Sequence, residues 1–81
     1  MEFKKNYFDL WAKAWNFHKK YFNVSGTDEF WERLVNESGE IVKAYEGRPQ
    51  HDFMKDLVLA VISEIERVDK QQRKQEGNKH E

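Results

Sequence analysis

Four carboxylates fall into two pairs at one spacing: Glu37 and Glu40 in Glu-Ser-Gly-Glu, and Glu66 and Asp69 in Glu-Arg-Val-Asp. Side chains three apart share a face of a helix, so each pair sets two hard oxygen donors side by side. The other groups able to do chemistry are scattered. His18, His51 and His80 are far apart, and no two stand at the i, i+4 spacing of a helical metal site. His18 reads as a packed histidine among aromatics, His51 as a surface residue and His80 as part of the tail. There is no cysteine, so thiolate ligands and disulfides are ruled out. A glycine-rich phosphate loop and a nucleophile elbow are both missing. Ser25, Ser38 and Ser63 have no base beside them in the sequence. The residues therefore assign no catalytic group, no metal ligand and no cofactor.

The two acidic pairs resemble part of the motif of the MazG-like all-α nucleoside triphosphate pyrophosphohydrolases, EExxE followed by ExxD. Asn36 stands where that motif has its first Glu. The resemblance spans residues 37–69 and implies magnesium held by Glu37, Glu40, Glu66 and Asp69 against the phosphates of a nucleotide. The register of the chain separates the pairs. With a turn near residue 48 or 49, facing residues on antiparallel helices have numbers summing to about 97. Glu37 then faces Ala60 and Glu66 faces Trp31, an offset of about six to nine residues, or roughly 9–14 Å. Only a second subunit would bring the pairs together. Within one chain they read as a solvated face, with an Arg33–Glu64 pair across the hairpin.

The second group with chemical potential is aromatic. Eight of the twelve aromatic residues lie between Phe3 and Phe22, interleaved with Lys4, Lys5, Lys13, Lys19 and Lys20. Such a helix can stack on bases and neutralise phosphates, or dock into a partner's groove. Phe8, Trp15 and Phe22 are seven apart and lie beside the face formed by Phe3, Tyr7, Leu10 or Trp11, Ala14, His18 and Tyr21. The core is expected to claim Trp11 and some of Phe8, Trp15 and Phe22. Eight rings nonetheless cover more arc than an 81-residue chain can hide. The surplus predicts an interface, with Phe8, Trp11, Trp15 and Phe22 as its candidates.

Three helices position these groups. Residues 3–22 make the first. Asn23 to Thr27 breaks it, and Thr27 is the expected N-cap of a second, acidic helix over 28–46. Its apolar face takes Phe30, Leu34, Ile41 and Tyr45, with Trp31, Val35 and Val42 beside them. Ser38 and Gly39 interrupt it, a small pair that would let another helix approach closely. Gly47 suits the position just past its end, and Pro49 the first turn of the third helix. That helix, 49–73, carries the most apolar stretch of the chain. Phe53, Leu57, Val61, Ile65 and Val68 form one row, and Met54, Val58 and Ile62 a second. A stripe this wide calls for two covering neighbours.

The expected fold is an all-α, antiparallel three-helix bundle with the third helix central. It is one domain over residues 1–75, with a frayed polar tail over 76–81. A net charge of −1 argues against bulk attraction to nucleic acid or anionic membrane. The longest apolar run, Leu57 to Ile62, is far short of the roughly 20 residues a bilayer requires. The aromatic content of 15% opposes the disorder that 36% charged residues would favour. The functional expectation is a small cytoplasmic, non-enzymatic interaction or structural module that self-associates or binds a protein partner through its first helix. The alternatives are the magnesium-dependent pyrophosphohydrolase and a nucleic-acid-associated accessory protein using Lys13, Lys19 and Lys20.

Overall fold

The computed structural model describes the backbone of residues 2–78 and the side chains of residues 2–72. It contains three α-helices: α1 (Phe3–Lys20), α2 (Asp28–Ala44) and α3 (His51–Asn78). They form an up-down-up bundle. Tyr7 and Trp11 near the start of α1 meet Phe53 near the start of α3, so these two helices run the same way. Ser38, Gly39 and Val42 border one groove with Lys55, Val58 and Leu59. Residues facing each other across α2 and α3 thus follow the antiparallel register expected from the turn. Both α1 and α2 pack chiefly on α3, which makes the last helix the centre of the fold.

Local chemistry explains the boundaries. α2 starts where Thr27 Oγ1 accepts the backbone N–H of Phe30 at 3.1 Å, with Asp28 and Glu29 in the first turn. Gly47 adopts φ +81° in the following turn, a conformation that glycine takes without strain. The ends differ from the expected ones by up to two residues at the turns. α1 stops at Lys20, α2 at Ala44, and Pro49 lies in the turn ahead of α3 rather than inside it. Pro49 has no amide hydrogen to give, and the turn closes instead through His51 N–H to Arg48 O at 3.1 Å. α3 runs past residue 73, so 76–78 are helical in backbone; residues 79–81 of the expected tail lie outside the described residues.

The core is narrow. α1 contributes Leu10, Ala14 and Phe17, with Tyr21 just beyond its end. Leu34 and Tyr45 come from α2 and its exit, and α3 adds Met54, Val58, Val61 and Ile65. α1 and α3 therefore each bury a stripe at steps of three and four, while α2 itself buries Leu34. Four assignments change. Trp11 is 48% exposed, and Leu10 takes the buried position beside it. Phe8, Trp15 and Phe22 are 63%, 70% and 58% exposed, so the core claims none of the three. Phe53, at 39%, lies on the flank of α3 facing α1, while Met54 takes the centre. Val35 is 61% exposed, because the face of α2 that meets α3 is centred on Leu34 and Tyr45.

A continuous aromatic seam on the first helix

On α1, Phe8, Trp11, Trp15 and His18 follow at steps of three, four and three, and Phe22 lies in the turn just past the end of the helix, against His18. That is the spacing of a coiled-coil seam. The helix turns this row about a quarter-turn away from its buried stripe. α1 therefore has two working faces. One is filled by α2 and α3, and the other meets solvent.

The row is physically connected. Phe8, Trp11, Ala12 and Trp15 line one trough with Leu57 and Val61 of α3. Trp15, His18, Lys19 and Phe22 line the next. His18 and Phe22 meet edge-to-face with centroids 6.4 Å apart. At the other end Trp11 meets Phe53 at 5.7 Å, Phe53 meets Tyr7 at 5.9 Å, and Tyr7 stacks on Phe3 at 5.2 Å. Phe3 is itself 70% exposed. With about 200 Å² of surface per ring, the exposed fractions of these side chains leave roughly 700 Å² of aromatic surface in water. The largest apolar patch of an ordinary monomer is about 300–600 Å². All four predicted interface residues thus sit together on one open surface. The sequence reading missed His18 as a member of the seam and Phe53 as its extension. The alternating three-four spacing, carried through His18, was the available signal.

The acidic groups are arranged differently. Glu37 is held at the junction of α1 and α2. Lys20 Nζ donates to its Oε1 at 2.7 Å, and the Tyr21 hydroxyl donates to the same oxygen at 3.0 Å. Burial, reinforced by the bond to Glu37, pushes the Tyr21 phenol above its ordinary pKa. The hydrogen bond to Glu37 and its charge raise that of the Lys20 ammonium. Arg33 adds its positive charge to the same neighbourhood. The expected Arg33–Glu64 pair does not form. Glu64 is engaged by Arg67 on its own helix, at 2.8 and 2.9 Å from the guanidinium nitrogens. Among the described residues, no three His, Asp or Glu side chains converge in a way that could hold a metal ion. Glu37 and Glu40 are not brought together with Glu66 and Asp69.

Two further expectations change. The Ser38–Gly39 pair does not receive another helix: nothing lies within 4 Å of where a Cβ on Gly39 would stand. Ser38 Oγ instead donates to Val35 O at 2.7 Å, and the groove beside it stays open. Tyr45, which closes the core under α2, is only 2% exposed, with Arg48 at 4.9 Å and Lys13 at 6.0 Å from its ring. Its buried hydroxyl has no hydrogen-bond partner among the described residues.

No protein-family model, curated protein or solved structure matches the chain. No helix among the described residues is long and apolar enough to cross a membrane.

Proposed function

We propose that the protein is a small, cytoplasmic, non-enzymatic interaction module that self-associates through the aromatic seam of α1. The observation that carries this reading is the seam itself. Phe8, Trp11, Trp15 and Phe22 stand open on one surface while smaller neighbours, Leu10 and Ala14, fill the core. Large rings left in water cost free energy at roughly 25 cal/mol per Å², and covering them recovers it. A stable interface takes about 800 Å² from each partner, and the exposed rings supply most of that. The absence of cysteine fits a reducing compartment. Nothing in the arrangement of the carboxylates favours the magnesium-dependent reading over this one.

The test is solution mass against concentration, by light scattering or sedimentation, for the native chain and for Trp15→Glu. The native chain is expected to be dimeric at micromolar concentration. The variant is expected to be monomeric with its helical signal intact, because Trp15 contributes little to the monomer's core. A native chain that stays monomeric at millimolar concentration refutes the self-association reading.

A further inference from the structure

We infer that the surface receiving the seam is the open groove between α2 and α3 of a second copy, so that chains join head to tail. This rests on the self-association reading above and names the partner surface. Ser38, Gly39 and Val42 of α2 border the groove on one side, and Val58, Leu59 and Ile62 of α3 on the other. It is notched at Gly39, where nothing lies within 4 Å of the position a Cβ would take. Val35, one turn ahead of Gly39 on the same face of α2, and Leu59 are both exposed. The groove thus leaves apolar surface in water as the rings of α1 do, and it is hollow where they are bulky. Within one chain the two surfaces cannot meet. Leu57 borders the seam and Leu59 the groove. Two residues apart on α3, they point roughly 200° apart around the helix.

Charge selects this pairing over seam against seam. α1 carries five lysines, Lys4, Lys5, Lys13, Lys19 and Lys20, against Asp9, a net of +4. α2 carries five acids, Asp28, Glu29, Glu32, Glu37 and Glu40, against Arg33 and Lys43, a net of −3. Two seams face to face set like charge against like, whereas seam against groove sets a basic helix on an acidic one. The charges also bracket the apolar residues. Lys4 stands one turn ahead of Phe8, and Lys19 lines the trough of Trp15 and His18. Glu32 stands three residues ahead of Val35, and Glu46, in the turn just past α2, lines the end of the groove. Lys43 and Lys55 line the groove as well, and aromatic faces receive such cations. The seam offers roughly 700 Å² of aromatic surface, close to the about 800 Å² each partner gives to a stable pair. The contact is heterologous, so a pair keeps one free seam and one free groove. The dimer is the first product, and further copies add as concentration rises.

Complementation between two variants tests the pairing. Trp15→Glu spoils the seam and Gly39→Arg fills the groove, where the open space lets a long side chain enter without disturbing the monomer. Leu59→Glu, from the exposed α3 side of the groove, is carried in parallel as a second groove variant. Sedimentation is run on each protein alone and on equal mixtures, with helical content measured throughout. Each variant alone is expected to have its dissociation constant raised at least about 30-fold, the loss of one central contact. Mixed, Trp15→Glu and Gly39→Arg are expected to form a dimer of one of each and nothing larger, because one intact seam and one intact groove remain. Groove variants that associate like the native chain overturn the groove assignment and leave the self-association reading standing. Variants that are monomeric alone and stay monomeric when mixed overturn it equally. A native chain that is monomeric, or a Trp15→Glu protein that associates like the native one, overturns both readings.

Discussion

Removing the Tyr45 hydroxyl is expected to make the protein more stable. The ring is 2% exposed and closes the core beneath α2, while its hydroxyl has no partner among the described residues. A buried hydroxyl without a hydrogen bond costs about 1–3 kcal/mol relative to water. Tyr45→Phe deletes that penalty and keeps the ring that Arg48 and Lys13 approach at 4.9 and 6.0 Å. The phenyl face attracts those cations somewhat less than the phenol, which offsets a few tenths of a kcal/mol. The net gain is then about 1 kcal/mol. In a domain of this size, that raises the thermal midpoint by roughly 4–8 °C. Urea denaturation and thermal melts should be run on dilute protein, so that association adds nothing to the apparent stability. The urea slope should be unchanged, since the surface exposed on unfolding is the same. A midpoint that falls by several degrees would refute the reasoning, because it would show that the hydroxyl makes a bond worth more than its burial costs.

Two other outcomes follow from the packing. Phe17, 1% exposed, sits two residues from the open Trp15. Phe17→Ala should cost about 3–5 kcal/mol, enough to bring a domain of this size close to unfolding at ambient temperature; a urea midpoint within about 0.5 M of the native one would contradict the core assignment. The raised pKa values of Tyr21 and Lys20 set the alkaline limit. The folded state holds both protons more tightly than the unfolded chain. The stabilisation is therefore complete below their ordinary values near 10 and is lost as pH rises through the folded ones. The thermal midpoint should be flat from neutrality to about pH 9 and fall above about 10. Tyr21→Phe should flatten that fall, and an unchanged alkaline profile would count against the Tyr21–Glu37 linkage.

The bundle was largely readable from the sequence because its strongest signals are local. Thr27 as a cap, Gly47 in a turn and the apolar stripe of α3 each follow from the residue itself and its near neighbours. The division of the α1 aromatics was not readable. Rings cover most of that helix, so hydrophobic periodicity has no clear minimum, and volume suggests Trp11 where packing takes Leu10. The choice is made by where α3 lies against α1, which is a tertiary fact. The same holds for Gly39. A small residue permits close approach, but the helix axes decide whether anything arrives. The offset of the two acidic pairs was visible in advance because it depends only on turn position and helix rise. Glu37's actual partners, Lys20 and Tyr21, come from α1, which the hairpin register could not address.

The central helix is synthesised after both of the helices that pack on it, and this orders events on the ribosome. α1 and α2 pack chiefly on α3, so neither has its main partner until residues 54–65 have been made. At roughly 5–20 residues per second, some 2–9 s pass between translation of Tyr21 and of Ile65. Until α3 is made, α1 lacks the helix that covers its core stripe, and its aromatic seam is uncovered besides. The nascent chain is thus at its stickiest before it can fold. Neighbouring ribosomes on one message would present identical, simultaneously exposed first helices to one another.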